Sequence, residues 1–307
     1  MSRRGWALFV AMSVIWGIPY LLIRVAVEDL APGTLVFART ALPALVLLPL
    51  AYRRGLLPAL LPHWRMLVVF AVVETAGPWW LLGAAEQRLT SSMAGLLVAV
   101  VPLIGMVIGL LAGHTEDRVD ARRLVGLAVG FAGVVALVGI EVRGSDLIAV
   151  AQVALCAVGY AVGPLVIARR LSHLPSLGVI AVALSITAVG YAPYALTHLP
   201  HSLSASSAGA VVVLAVVCTA VAFLLFFELI AEVGAPRATV ITYVNPAVAV
   251  LLGVALLGEP FSAGIAIGFP LILLGSFLAT ARSRPRAEEV RVGGEVPAGD
   301  LPQVAEP

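Results

Sequence analysis

The sequence contains an internal repeat that limits the folds open to it. Residues 89–109 align with residues 233–253 at a constant offset of 144, which places Pro102 on Pro246. Each copy contains five long apolar segments. A duplicated unit with an odd number of membrane crossings enters the bilayer upside down relative to its twin. The repeat therefore indicates two inverted halves, an arrangement typical of carriers that work by alternating access.

The apolar segments are too long and too uniform for a soluble fold. The chain is 61% hydrophobic and 12% charged, with a mean hydropathy of +1.06, whereas a soluble domain is about 45–50% apolar and about 25% charged. Runs of about 20 apolar residues suit membrane-spanning helices, and the alternating pattern of barrel strands is absent from the sequence. We therefore predict an all-α integral membrane protein.

Ten segments are predicted to be transmembrane helices, in two inverted five-helix repeats. They lie near residues 5–27, 32–52, 64–84, 90–111, 122–140, 145–167, 174–196, 208–231, 236–256 and 262–281. The first repeat is expected to occupy residues 1–143 and the second residues 144–284. Residues 285–307 are rich in Pro, Gly, Glu and Val without a helical period, which predicts a disordered cytoplasmic tail.

The distribution of arginine predicts the orientation. All 19 basic residues are arginine, and 15 of them lie in segments on the same side as the N-terminus. The segments of the opposite side contain only Arg88 and Arg143, while Arg24 and Arg39 lie within helices. Because basic residues collect in cytoplasmic loops, we expect a multi-pass protein of the inner (plasma) membrane with both termini cytoplasmic.

Short motifs in three helices carry a family resemblance. They are Ile15-Trp16-Gly17, Arg39, Tyr243-Val244-Asn245-Pro246-Ala247 and Leu257-Gly258-Glu259. Together with ten helices in two copies, they resemble the EamA group of the drug/metabolite transporter superfamily over about residues 5–281. The resemblance implies a carrier, often an exporter, of small metabolites such as amino acids. The sequence departs from that pattern at Glu74 and at Gly113-His114-Thr115-Glu116, which replaces a tight Gly-Glu pair.

Glu74 and Arg39 are the principal candidates for a substrate-binding site. Glu74 is about ten residues into the third helix, roughly 15 Å deep, and Arg39 is roughly 11 Å from the opposite face. Charged groups at such depth are costly, so each should face a cavity or a partner. We hypothesise an Arg39–Glu74 ion pair or shared contact with a zwitterionic substrate, with Glu74 as a proton-coupling site. Alternatively, Glu74 only packs helices, and Arg39 snorkels outward to Glu28 or Asp29.

Four aromatic side chains offer two interpretations. Trp16 lies near the middle of the first helix, and Tyr160 occupies the matching position of the second copy at an offset of 144. Tryptophan and tyrosine prefer the membrane interfaces, so this depth predicts a substrate-cavity wall, with ordinary aromatic packing as the alternative. Trp79 and Trp80, in the outer half of the third helix, are expected to be interfacial anchors, although one of them could line the pathway.

The ninth helix supplies the remaining candidates, Tyr243 and Asn245, near mid-depth. Pro246 removes one helix hydrogen bond and frees a carbonyl, and Pro102 is the matching proline of the fourth helix. We predict helix breaks at both prolines, since interrupted helices in corresponding places indicate a binding site. Asn245 could contact a polar substrate or the freed backbone.

Two further features are expected to be structural. Glu259, near the outer end of the ninth helix, should cap or pair with a neighbouring element. The spacing of Gly126, Gly130 and Gly133 permits close contact between helices.

Enzymatic and ATP-driven functions lack sequence support. The five histidines lie at helix ends or in loops, Cys156 and Cys218 lie in predicted helices, and the chain contains no Walker motif. We therefore expect no catalytic residue, metal site, cofactor or nucleic-acid partner. The expected partners are a small-molecule substrate, the lipid bilayer and, as a hypothesis, protons.

Several alternatives stay open at this level. Aromatic residues around a lone Glu74 would suit a cationic or aromatic drug-like compound, through cation–π contact. A channel-like or structural membrane protein is an alternative of a different class, which saturation and counterflow kinetics would separate from a carrier. We expect a monomer, since ten helices can enclose a pathway.

Overall fold

The computed structural model describes residues 1–111, 121–142 and 144–280. In this part of the chain, nine helical segments are long and apolar enough to cross a membrane, and a tenth apolar helix, Ile241–Leu257, is shorter. The predicted all-α membrane fold with ten helices is confirmed. The predicted tail and the motif at residues 113–116 lie outside the described residues.

The ten helices are labelled α1 to α10 in chain order. The first repeat contains α1 Arg3–Ala26, α2 Pro32–Arg53, α3 Leu57–Glu86, α4 Ser91–Leu111 and α5 Ala121–Glu141. The second contains α6 Leu147–Leu171, α7 Ser176–Thr197, α8 Ala205–Val233, α9 Ile241–Leu257 and α10 Ala263–Thr280. The largest difference from the predicted bounds is in α3, which extends at both ends and therefore includes Glu86.

Connections between helices collect at two opposite ends of the bundle. At one end, Arg4 at the start of α1 pairs with Glu228 near the end of α8, with 2.6 Å between Nη2 and Oε2. At the other end, Asp29 after α1 accepts a 3.0 Å hydrogen bond from the backbone N–H of Ser204 before α8. The two helices are therefore antiparallel, as expected for an odd-numbered and an even-numbered crossing of a membrane.

The closest helix pairs join one repeat to the other. The main pairs are α1–α8, α6–α3, α2–α7, α4–α9 and α5–α10. Exchanging the two halves maps α1–α8 onto α6–α3 and each of the other three pairs onto itself. The halves are thus interleaved with approximate two-fold symmetry, which is the arrangement that inverted repeats predict.

Glycines bring α5 and α10 into backbone contact. A Cβ added to Gly126 would lie 2.5 Å from the Ala279 nitrogen, and one added to Gly133 would lie 2.8 Å from the Ile272 nitrogen. Small residues allow such close approach in membranes, where helix association depends on packing contacts. The predicted role of the α5 glycines is confirmed.

Two helices are interrupted just before a proline. In α1, the helix stops at Ile15 and resumes at Pro19, and in α4 it stops at Val98 and resumes at Val101, one residue before Pro102. Proline lacks a backbone N–H, which is not needed in the first turn of a helix, so each proline lies in the first turn of the second segment without losing a bond.

Pro246 does not interrupt α9, which corrects the expected break there. Pro246 lies inside the continuous helix Ile241–Leu257, and the preceding turn lies at residues 239–240. With the side-chain amide of Asn245 oriented to suit its neighbours, its nitrogen donates to the Ile241 carbonyl at 2.9 Å and to the Ser13 carbonyl at 3.0 Å. These bonds tie the first turn of α9 to α1 and support the helix where proline weakens it.

Matching π-helical segments lie within α3 and α8. They span Ala71–Ala76 and Val216–Val221, an offset of 145. In a π-segment the hydrogen bonds join residues five apart instead of four, which widens the helix locally. Such segments are frequent at functional sites. Their recurrence in both halves draws attention to the one acidic residue they contain, Glu74.

Candidate functional site

Glu74 lies in the π-segment of α3 and packs against α6. Its carboxyl group occupies the space that a side chain at Gly163 would need, because a Cβ there would lie 2.9 Å from Glu74 Cδ. Glu74 is partly exposed, but Oε2 is buried and has no hydrogen-bond partner. A carboxylate oxygen that is buried without a partner is costly. A ligand or a proton that binds to Glu74 would reduce this cost.

Arg39 is buried and stacks on an aromatic ring. Its side chain is 6% exposed, its guanidinium carbon lies 3.8 Å from the ring centroid of Trp79, and its Nε is buried without a hydrogen-bond partner. The snorkelling alternative is therefore wrong. Trp79 is 7% exposed, so it is not the interfacial anchor that was expected, whereas Trp80 is 38% exposed.

The hypothesised ion pair between Arg39 and Glu74 is not formed in this structure. The guanidinium of Arg39 lies on Trp79, while the carboxyl group of Glu74 lies against Gly163. Asp29, the alternative partner, instead accepts hydrogen bonds from Ser204. The two opposite charges are held apart, each with a buried polar atom unpaired.

Tyr160 lies in α6 on the stretch that packs against the Glu74 segment of α3. It is flanked there by Gly159 and Gly163, which meet Val73 and Glu74, and its ring packs against the two core clusters that contain Tyr20 and Trp79. Three of the six predicted substrate-binding residues therefore lie on the packed helices α2, α3 and α6, with Trp79 of α3 in contact with Arg39 and Gly163 of α6 in contact with Glu74. Tyr20 of α1, which sequence reasoning did not single out, is a further buried polar residue and belongs to the core cluster against which Tyr160 packs.

Glu86 is a further buried carboxyl group that sequence reasoning missed. It is 0% exposed, and neither of its oxygens has a hydrogen-bond partner. Arg24, Arg39 and Glu259 are close enough to act on it electrostatically. The predicted end of the third helix at residue 84 assigned Glu86 to a loop. The available signal was the presence of two arginines, Arg24 and Arg39, inside helices, since each needs a nearby acidic group.

The other three predicted residues are engaged elsewhere. Trp16 contacts Phe226 at 4.7 Å and Phe223 at 5.8 Å between ring centroids, which is the aromatic-packing alternative. Tyr243 donates from its hydroxyl to the Ser276 carbonyl at 3.3 Å. Asn245 bonds to backbone carbonyls of α1 and α9, although not to the carbonyl freed by the proline.

Glu259 caps the N-terminus of α4, as expected for this residue. Its carboxylate accepts hydrogen bonds from the backbone N–H groups of Ser91 at 2.7 Å and Ser92 at 3.0 Å. An anion at a helix N-terminus satisfies N–H groups that lack an intrahelical partner and interacts favourably with the helix dipole. The segment that follows α9, in the second repeat, is thereby attached to α4 of the first repeat.

Within the described ranges, no group of three or more His, Cys, Asp or Glu residues is arranged to hold a metal ion. Cys156 and Cys218 are buried free thiols.

Ten apolar helices in two inverted, interleaved halves, with unpaired charges buried between them, define a polytopic membrane transporter. The chain belongs to the EamA-like transporter family, whose profile matches residues 3–139 and 147–281. The two matched segments correspond to the two repeats.

Relatives and a solved structure agree with this assignment. The chain is 32% identical over 293 residues to the inner membrane transporter YedA of Escherichia coli K12, covering 90% of this chain and 92% of YedA. It is 22% identical over 285 residues to a transporter of Archaeoglobus fulgidus, covering 91% and 99% of the two chains. A crystal structure at 23% identity superposes with a TM-score of 0.64 over 90% of this chain and 96% of the other, which shows a shared fold.

Proposed function

We propose that this protein is a secondary-active carrier that exports small zwitterionic metabolites, such as amino acids, by alternating access. We place it in the inner membrane with both termini cytoplasmic, in keeping with the arginine distribution and with the name of its relative YedA. The observation that carries the proposal is the pair of opposite, unpaired charges in the bundle, Arg39 and Glu74.

The geometry of this pair suits a zwitterion better than a singly charged ligand. The planar guanidinium of Arg39 can bind a carboxylate with two parallel hydrogen bonds, and the carboxylate of Glu74 can bind an ammonium group. The hydroxyl of Tyr160 can donate or accept between them. A ligand that satisfies both charges would remove the cost of leaving them unpaired.

Competition at Glu74 would couple transport to protons. A proton and the ammonium group of a substrate both need the Glu74 carboxylate, so binding of one displaces the other. Protons entering from outside would then drive release of the substrate there. The π-segments of α3 and α8 provide sites at which both halves could change their bend during the transition.

Counterflow in proteoliposomes tests this function. Vesicles loaded with an unlabelled amino acid should accumulate the same labelled amino acid, and uptake should saturate. We expect Glu74→Gln and Arg39→Ala each to reduce exchange by roughly tenfold or more, since each removes a charge-assisted hydrogen bond worth about 1.5–3 kcal/mol. Glu228→Gln is the matched control, because it removes a carboxylate that takes part only in an exposed ion pair.

The outcomes separate the alternatives. Normal exchange in both Glu74→Gln and Arg39→Ala would overturn the assignment of the site. Exchange of cationic or aromatic compounds without exchange of any amino acid would favour the drug-like substrate class. Flux that neither saturates nor shows counterflow would identify a channel.

A further inference from the structure

The turn of α3 that carries Glu74 is hydrogen-bonded to α7. Thr75, the next residue, is fully buried, and its Oγ1 lies 2.7 Å from Oγ1 of Thr187. The hydroxyl of Tyr191, about one turn further along α7, donates to the Ala76 carbonyl at 3.0 Å. Side chains of α7 therefore hold both residues that follow Glu74 in its π-segment.

The two threonine hydroxyls form a chain between the helices. Oγ1 of Thr75 also lies 2.8 Å from the Ala71 carbonyl oxygen, and Oγ1 of Thr187 lies 3.0 Å from the Ala183 carbonyl oxygen. Each hydroxyl has a single proton, so when one of them donates to the other, the second donates to a carbonyl of its own helix. The bond between α3 and α7 is therefore kept in either arrangement.

The second half of the molecule contains the matching threonine without the acid. Thr219 lies in the π-segment of α8 at an offset of 144 from Thr75, and at the same offset Cys218 stands in place of Glu74. The hydroxyl of Thr219 donates within its own helix, to the Leu214 carbonyl at 2.8 Å. The bonds from α7 thus accompany the acid, which indicates that they serve Glu74 and not the π-segment as such.

α7 also packs along α2, the helix that carries Arg39. A Cβ added to Gly33 of α2 would lie 2.6 Å from two ring carbons of Tyr194 and 3.4 Å from a ring carbon of Tyr191. The hydroxyl of Tyr191 therefore reaches α3 from a ring that lies beside α2. In this way α7 connects the helix of Arg39 to the helix of Glu74.

We propose that Thr187 and Tyr191 are positioning residues that fix the place of Glu74 relative to Arg39, and so make the site selective for one separation between the ammonium and carboxylate groups of a zwitterion. The proposal rests on the function proposed above. A ligand with a longer or shorter separation would leave one of the two buried charges unpaired, which is costly. The two hydroxyls act through the π-segment of α3 and need no contact with the ligand.

The first experiment measures the placement of Glu74 without a substrate. Purified protein is treated with dicyclohexylcarbodiimide, which labels carboxyl groups in apolar surroundings, and the labelling of Glu74 and Glu86 is compared by mass spectrometry. Glu86 is the internal standard, because it is a buried acid of the same helix. We expect the double variant of Thr187→Val with Tyr191→Phe to change the labelling ratio by roughly threefold or more, since two hydrogen bonds that hold the acid in place are lost.

The second experiment measures counterflow with three zwitterions: α-alanine, β-alanine and γ-aminobutyrate, in which one, two or three carbon atoms separate the charged groups. We expect the unmodified protein to prefer one of them, and Thr187→Val and Tyr191→Phe each to reduce the preference, as a ratio of kcat/KM values, by roughly threefold to tenfold. A merely structural role would lower exchange of all three compounds equally and leave the ratio unchanged.

Two further variants complete the comparison. Thr187→Ser should keep most of the preference and of the normal labelling ratio, since it retains the hydroxyl. Ser185→Ala is the matched control in α7, because the hydroxyl of Ser185 donates to the Ala181 carbonyl of its own helix at 2.7 Å. It should leave both ratios at the values of the unmodified protein.

Either ratio can disprove the proposal. The α7 hydroxyls do not position Glu74 if the double variant keeps the normal labelling ratio or the normal preference, or if Thr187→Ser behaves like Thr187→Val. Equal exchange of the three zwitterions by the unmodified protein would also overturn the selectivity. If the unmodified protein exchanges none of them, the proposed function fails, while the labelling ratio still decides whether α7 positions the acid.

Discussion

At the scale of single residues, three ionisable side chains inside the described helices have no ion-pair partner. Arg39, Glu74 and Glu86 each have a buried polar atom without a hydrogen-bond partner. A core selected for stability alone would pair such groups or replace them with apolar ones, because unpaired buried charges are strongly destabilising. The carrier function that we propose would account for the cost at Arg39 and Glu74, because a bound zwitterionic substrate would satisfy both charges.

Stacking on Trp79 should hold Arg39 in place. Trp79→Leu removes the cation–π contact and part of the core packing, so we expect the free energy of unfolding in detergent to fall by about 1–3 kcal/mol. Trp79→Phe keeps a smaller ring and should lose less. Trp80→Leu is a matched control, because the side chain of Trp80, next to Trp79 in the sequence, is 38% exposed. Equal losses for Trp79→Leu and Trp80→Leu would contradict this role of the Arg39–Trp79 contact.

Asp29, which lies in the loop between α1 and α2 and so outside the membrane-spanning helices, should make the stability of the protein depend on pH. Hydrogen bonds from the side chain and backbone of Ser204, and from the side chain of Ser207, hold the pKa of Asp29 below its ordinary value of 3.8. The contribution of Asp29 to stability is therefore complete above that ordinary value and is lost as pH falls through the lowered pKa.

The measurement compares unfolding temperatures of the unmodified protein and Asp29→Asn across pH. The unmodified protein should be the more stable at neutral pH, and the difference should shrink only under strongly acidic conditions. A difference that stays the same at all pH values would show that the charge of Asp29 is not responsible.

At the scale of helices, glycine decides where polar groups fit. Gly159 and Gly163 of α6 face the π-segment of α3, and Gly163 provides the space for the Glu74 carboxyl group. The widened turn and the missing side chain opposite it act together: one displaces the acid from the regular helix surface, and the other lets it lie between two helices. The positions of prolines and charges in the sequence do not reveal this arrangement, because it depends on Gly163 lying opposite Glu74.

Gly163→Ala should disable the site without changing a charged residue. The added Cβ would lie 2.9 Å from Glu74 Cδ, so the acid must move, and we expect exchange to fall severalfold with a loss of about 1–3 kcal/mol in stability. Gly190→Ala in α7 is the control, because a Cβ there meets nothing within 4 Å, and alanine should stabilise a helix interior by about 0.5–1 kcal/mol. Normal exchange by Gly163→Ala would show that the position of Glu74 is not critical.

At the scale of the whole molecule, each half is completed by the other. The main helix pairs all cross between repeats, and Glu259 of the second repeat caps α4 of the first. Neither half could therefore keep these contacts as an independent five-helix unit. The α5–α10 contact, where backbones meet at glycines, is one of the contacts that join the two halves.

The inverted arrangement makes a prediction about orientation. Arg54 follows the last residue of α2 and Gln87 follows the last residue of α3, so these two exposed residues lie at opposite ends of the bundle. The positive-inside rule assigns Gln87 to the outside and Arg54 to the cytoplasm. In intact cells, a membrane-impermeant maleimide should label Gln87→Cys, and should label Arg54→Cys only after permeabilisation. Background should be low, since Cys156 and Cys218 are buried. The reverse labelling pattern would contradict the assigned orientation.

The sequence by itself determined the membrane class, the ten helices and the close glycine contact of α5. Hydropathy and repeat offsets are local or periodic properties, so they can be read along the chain without knowledge of the packing. The structural role of Glu259 was also predicted, because its position near the end of α9 places it where neighbouring helices begin and present unpaired backbone N–H groups.

Only the tertiary structure decided which partner each polar residue has. Arg39 stacks on Trp79 instead of pairing with Glu74, and Glu86 is buried instead of lying in a loop. Asn245 supports α9 where a break was expected. These outcomes depend on contacts between helices far apart in sequence, including the space left by Gly163. Helical periodicity fixes which side of a helix a residue is on, but the neighbour it meets there is set by the packing of the whole bundle.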